Sequence, residues 1–190
     1  IHAAEPCQEL VKVKGQRCAL LMVAAFRKQK DQDTLVRALA LLPKTAYEVW
    51  FAGAGERLEE VRKLSETLGV ASHVRFLGIR TDIPQVLQAA DIIVMSSHWE
   101  GLSLSNVEGM SAGKPFIASD VNGLREVTKD WGLLFPHEDA KRLAALLQRL
   151  ATDDAYYKQI AQRCYERAKQ FDINEMVRAY NQVYLTLCKA

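Results

Sequence analysis

At 190 residues, 49% apolar and 25% charged, the chain is long enough for a substantial core, as one large domain or two small ones. A formal net charge of +2, with no Lys/Arg cluster, gives no electrostatic case for nucleic acid. No apolar run is long enough to span a membrane and no signal peptide is visible.

In chain order, residues 1–17 are polar and irregular and read as an incoming linker. The start at Ile1 rather than Met leads us to expect a fragment or a processed product. Residues 18–26 (CALLMVAAF) read as a first buried strand, and residues 27–33 as a charged loop. Residues 34–42 carry a helical stripe of Leu35, Leu39 and Leu42 that ends at Pro43. A second strand is expected over 47–52, then Gly53-Ala54-Gly55, then an amphipathic helix over 56–68 closed by Gly69. Residues 73–77 give a third strand, and 83–90 a short helix begun at Asp82 with Pro84 in its first turn. A sixth short strand is expected over 132–135, and helix from Asp139 onwards, broken around 152–154 and 171–173.

Between these lies the stretch that organises the rest, residues 91–120. Ile92–Met95 is an apolar, β-branched run of the kind found in strands buried on both faces. Leu104, Val107 and Met110 recur at helical spacing until Gly113, and residues 115–119 restart a buried run. Strands alternating with helices predict an α/β doubly wound parallel sheet of six strands, with ligands beyond the carboxyl ends of the strands. Glu100 and Glu108 fall on that edge, flanking the backbone N–H groups of residues 101–105 at a helix N-terminus, a ready phosphate site. Carboxylates accept hydrogen bonds from paired hydroxyls, so the arrangement suits phosphates between sugar rings, as in a nucleotide sugar. Taken singly, Glu100 is an ordinary loop acid, and Ser105-x-x-Glu108 fits a capping box. The pair with Gly101 and the helix favours a site.

The segment WEGLSLSNVEGMSAGKPFIASDVNGLREV resembles the signature of the retaining glycosyltransferases of family 4, also called group 1: E-G-[FL]-[GSP]-L-x-x-x-E-A-M-A-x-G-x-P-V-[VI]-A-[ST]-x-x-G-G-x-x-E. The matching positions are Glu100, Gly101, Leu102, Leu104, Glu108, Met110, Gly113, Pro115, Ala118, Ser119, Gly123 and Glu126. Ser103 stands where Gly is frequent, Gly109 replaces Ala, and Asn122 replaces the first Gly of the later pair. The resemblance extends over nearly the whole chain and implies the second, donor-binding half of a GT-B architecture, in which two Rossmann-like domains face a cleft. On that reading 18–172 is the donor domain, 173–190 carries a final helix that crosses to the other domain, and the first, acceptor-binding domain is not in this sequence.

Glu100 is then the residue expected beside the reacting carbon of the donor sugar, and Glu108 the one expected to hold the ribose hydroxyls. The N–H groups of Gly101, Leu102, Ser103 and Leu104 would approach sugar and phosphate. The family pattern G-R-[LF]-x-x-x-K-[GD] places its Lys on Lys30 and its Arg on Ala25, so Lys30 is expected at the diphosphate and Arg27 is an open substitute for the absent charge. Gly53 and Gly55 are expected to shape the donor cleft, and Arg80 to lie against base or phosphate. His98 reads as packing or surface, Trp99 and Trp131 as packing residues, and Asp120 and Glu126 as bracing groups. The expected reaction is glycosyl transfer with retention from a UDP- or GDP-linked sugar to a glycan or lipid-linked acceptor, without a metal or other cofactor. The expected location is the cytoplasm, with membrane contact through the other domain. The four cysteines, Cys7, Cys18, Cys164 and Cys188, lack metal-like spacing and read as reduced thiols. Two alternatives stay open: a nucleotide-binding module without turnover, for which Ala25 speaks, and an enzyme like the nucleotide-sugar 2-epimerases. A dehydrogenase-type cofactor domain is disfavoured by Leu58, which stands where the third Gly of its fingerprint belongs.

Overall fold

The computed structural model describes residues 1–188. Six parallel strands form one sheet in the order β3-β2-β1-β4-β5-β6. They are β1 (Cys18–Val23), β2 (Tyr47–Ala52), β3 (Val74–Gly78), β4 (Ile92–Met95), β5 (Phe116–Ser119) and β6 (Leu133–Phe135). All of β2, β4 and β5 is buried, as is the middle of β1, whereas β3 and β6 are partly exposed at the edges. This burial on both faces accounts for the continuous apolar runs of the central strands.

Nine α-helices surround the sheet among the described residues: α1 (Gln8–Lys14), α2 (Gln32–Leu41), α3 (Leu58–Thr67), α4 (Ile83–Ala89), α5 (Leu104–Ser111), α6 (Arg125–Thr128), α7 (Ala140–Thr152), α8 (Asp154–Lys169) and α9 (Ile173–Leu187). Helix α2 packs with α3 and α7, and α5 packs on α8. Gly109 in α5 lets the helix sit close to the sheet: a Cβ there would stand 2.7 Å from the ring of Phe116 and 2.9 Å from Cγ2 of Ile93.

The doubly wound sheet, the helix–strand rhythm and the helix breaks near 152–154 and 171–173 agree with expectation. Two differences have physical causes. Residues 1–17 contain α1 rather than irregular linker throughout. Its Leu10 is buried, the N–H of Cys7 donates to the carbonyl of Gln85 at 3.0 Å, and Lys14 bonds Asp91 at 2.7 Å. So short a helix, with one buried anchor, offers too few repeats to show periodicity. Strand β1 stops at Val23 rather than Phe26, because the chain there turns against the Gly53–Gly55 loop. The N–H of Phe26 donates to the carbonyl of Ala54, and a Cβ on Gly53 or Gly55 would stand 2.0 Å from the carbonyl oxygen of Ala24 or 2.4 Å from that of Phe26. Helix α9, expected as the final helix, has no buried residue. Ile173, Met176, Val177, Tyr180, Tyr184 and Leu187 are all exposed on it.

Candidate active site

In this strand order the topology reverses between β1 and β4, and a crevice opens where their outgoing loops diverge. Those two loops supply Lys30 and Glu100. Lys30 Nζ meets Glu100 Oε1 at 2.5 Å, with the two side chains 18% and 7% exposed. The hydroxyl of Ser97 donates to the same oxygen at 2.7 Å, and Gln29 Nε2 reaches Oε2 at 3.5 Å. Glu100 is thus a charge-paired carboxylate in a largely dry setting, which fixes its orientation.

The backbone around it is held from three directions. Ser96 donates its hydroxyl to the carbonyl of Asp31 at 2.6 Å, tying the β4 exit to the β1 exit. The N–H of His98 donates to the carbonyl of Gln29 at 2.7 Å, and Gln29 Nε2 returns a bond to the carbonyl of Trp99 at 2.7 Å. From the β5 side, Ser119 donates to the carbonyl of Ser97 at 2.6 Å, and the N–H of Glu100 donates to the carbonyl of Asn122 at 3.2 Å. Gly123 completes this packing: its φ is +83°, and a Cβ would stand 2.1 Å from the carbonyl oxygen of Glu100. Glu126 accepts the Gly123 N–H at 2.6 Å, and Arg125 bonds Asp120 at 2.5 Å, so both acids brace the turn as expected.

Beyond Glu100 the chain enters α5 through Gly101, Leu102 and Ser103. Their N–H groups donate to no acceptor among the described residues, and Leu102 and Leu104 are exposed. Ser103 is the N-cap, its side chain makes no capping bond, and Glu108 lies in the second turn of α5. The capping-box reading of Ser105 and Glu108 is therefore not realised. The Glu108 side chain is exposed and bonds nothing among the described residues, so its carboxylate is available to a ligand.

The other sequence candidates occupy varied settings. Gly53 and Gly55 back the β1 exit loop and so set the position of the segment that leads to Lys30. The Arg27 side chain is exposed, with no hydrogen bond or ion pair among the described residues. Arg80 is committed elsewhere: it grips Asp82 at 2.7 and 2.6 Å, and this bond holds the Asp82 carboxyl below the usual carboxylate range. Trp99 is 58% exposed and corrects the packing expectation, because the loop that fixes Glu100 lifts the indole out of the core. Trp131 does pack on the core. Sequence reasoning missed Gln29 and Ser97 as partners of Glu100. Their only signal was polarity next to a buried strand, which any loop shares.

A cavity of about 690 Å³ lies beside this edge, lined by Asp31, Thr34, Arg57, His98 and Glu138 among others. Lys30, Glu100 and Glu108 are not in its lining, so it adjoins the Glu100 site rather than forming it.

Comparison with known proteins supplies the context. Residues 9–171 match the family model described as "Glycosyl transferases group 1". The Bacillus subtilis (strain 168) protein EpsD is 32% identical over 169 residues, which cover 87% of this chain and 44% of EpsD. An Escherichia coli UDP-Gal:alpha-D-GlcNAc-diphosphoundecaprenol alpha-1,3-galactosyltransferase is 28% identical, covering 98% of this chain and 50% of that protein. The chain thus spans about half the length of the curated relatives it matches. Among solved structures, HepE of Anabaena in complex with UDP superposes with a TM-score of 0.85 at 25% identity, over 96% of this chain and 53% of HepE. The same protein in complex with UDP-glucose gives 0.84 at 26% identity.

Proposed function

This chain belongs to the group 1 glycosyl transferases, and from that premise we propose that it is the donor-binding half of a retaining enzyme. The enzyme takes a sugar from a UDP- or GDP-linked donor and passes it to a glycan or lipid-linked acceptor bound mainly by another domain. The observation that carries the reading is the Lys30–Glu100 pair beside unpaired N–H groups at the start of α5, with the free carboxylate of Glu108 on the same helix.

Each group has a role that its chemistry suits. Glu108 accepts hydrogen bonds from the ribose hydroxyls. The N–H groups of Gly101–Ser103 face phosphate and sugar oxygens at the positive end of the helix dipole. Lys30, joined by the unpaired Arg27, neutralises the charge that grows on the diphosphate as the glycosidic bond breaks. Glu100, held by Lys30 and Ser97, orients the donor sugar at its reacting carbon. Transfer on this scheme needs no metal and no tightly bound cofactor. The UDP and UDP-glucose complexes of HepE support a uridine donor, and the name of the E. coli relative supports a lipid-linked acceptor. The exposed apolar stripe of α9 suits a helix that crosses to a second domain. Without that domain we expect donor binding and little or no transfer, in the cytoplasm.

The test is calorimetric titration of the protein with UDP, GDP and ADP, beside Glu108→Ala. We expect one of the three to bind saturably, and the variant to bind it at least tenfold more weakly without a change in thermal midpoint. Silence from all three at millimolar concentration, or equal affinity in the variant, would remove the reading.

A further inference from the structure

A second cluster of chemical groups lies on the same edge of the sheet and takes no part in the scheme above. One donor atom each from Asp31, His98 and His137 lie within 4.8 Å of one another. Nδ1 of His98 faces Nε2 of His137 at hydrogen-bonding distance, the two rings meeting edge to face. Glu138 Oε1 lies 3.8 Å from His98 Nδ1.

Asp31 is the informative member. It is 4% exposed and accepts the Thr34 hydroxyl at 2.6 Å and the Thr34 N–H at 3.3 Å. Among the described residues no Lys or Arg pairs with it. A carboxylate this buried is ordinarily paired with a cation or bound to a metal. Here the groups turned towards it are two imidazoles.

We propose that Asp31, His98 and His137, with Glu138 as a fourth donor, bind one divalent transition metal ion, zinc or a close relative. Two imidazole nitrogens with carboxylate oxygens select such an ion over Mg²⁺ or Ca²⁺, which prefer all-oxygen shells. Bonds of about 2.0–2.1 Å in a tetrahedral shell put donors roughly 3.3 Å apart, so the two imidazole nitrogens, now closer than that, have to part, and the most distant donors, up to 4.8 Å apart, have to draw in. His137 and Glu138 are exposed and can turn inward, while buried Asp31 is the fixed point. The 690 Å³ cavity, which Asp31, His98 and Glu138 all line, gives the ion its path in.

The ion is a clamp and not a participant in glycosyl transfer. Asp31 follows Lys30 directly, His98 precedes Glu100 by two residues, and His137 and Glu138 lie between β6 and α7. One bound ion therefore joins three loops, two of which carry the Lys30–Glu100 pair.

The experiment is a titration of chelator-treated, tag-free protein with zinc chloride and, separately, magnesium chloride. Calorimetry and thermal midpoint are read for the wild type, His137→Ala, Asp31→Asn and a His2→Ala control. We expect one zinc per chain with a raised midpoint, no response to magnesium, at least tenfold weaker zinc binding in His137→Ala and Asp31→Asn, and no change in His2→Ala. His137 is exposed, so its variant tests the site without a folding penalty. If zinc fails to saturate, or binds His137→Ala as it binds the wild type, the two histidines share a proton and hold no metal.

Discussion

Replacing Gly123 by Ala tests whether the turn after β5 sets the Glu100 loop. Two costs arise. An alanine at φ +83° loses roughly 1–2 kcal/mol in the left-handed region. Its Cβ would also stand 2.1 Å from the carbonyl oxygen of Glu100 and 2.3 Å from that of Gly101, and both are backbone atoms with no rotamer to yield. Relief requires the loop to move by about 1 Å, bringing the total loss to about 2–4 kcal/mol. A shift of that size in a positioned catalytic group can cost about 100-fold in rate, and the same displacement of the loop should weaken nucleotide binding. Gly69 is the internal control. Its φ is +65° but the nearest atom to an added Cβ is the flexible Nζ of Lys44 at 3.5 Å, so Gly69→Ala carries the conformational cost alone, about 1–2 kcal/mol. Urea denaturation of both variants, with titration of whichever nucleotide the wild type binds, separates the terms. A Gly123→Ala protein as stable as Gly69→Ala and binding nucleotide like the wild type would refute the packing argument.

Two further outcomes follow from burial. Lys30→Met strands the Glu100 carboxylate, 7% exposed, with only Ser97 and Gln29 as donors, and should cost about 2–4 kcal/mol in urea denaturation. Glu100→Gln leaves Lys30, 18% exposed, closer to water and should cost nearer 1 kcal/mol, so the reverse ranking would contradict the assigned geometry. Burial pushes the thiols of Cys18 and Cys164 up to about 12, whereas Cys188 is exposed. At pH 8 a chromogenic disulfide reagent should therefore label Cys188 in the native protein and reach Cys18 and Cys164 only in denaturant. Rapid labelling of either buried thiol in the folded state would speak against this packing.

The sheet was legible because buried parallel strands advertise themselves. Ile92–Met95 is apolar without interruption and Tyr47–Ala52 is apolar but for Glu48, and their observed bounds match the expected ones. Glu100 and its neighbours were legible because motif and strand end coincide. Other features depend on contacts that no local pattern encodes. Gly53-Ala54-Gly55 resembled a ligand loop, yet both glycines are required by a neighbouring backbone that is distant in sequence. Arg80 was expected against base or phosphate, and only its bond to Asp82 shows where its charge is held. The Asp31–His98–His137 group draws on three separate loops, so no spacing rule could have found it.

The close approach of α5 to the sheet has a consequence for how the chain can vary. The family pattern carries Ala at the position of Gly109 and Val at the position of Phe116, and here both differ together. Phe116 fills the space that a methyl at 109 would need, its ring atoms lying 2.7 and 2.8 Å from that point. Restoring either family residue alone meets a clash or opens a void, and both are costly in a core packed to crystal density. The two sites are thus coupled in volume in the wall beneath Glu108, with Ile93, whose Cγ2 lies 2.9 Å from the same point, as the third side chain that has to yield.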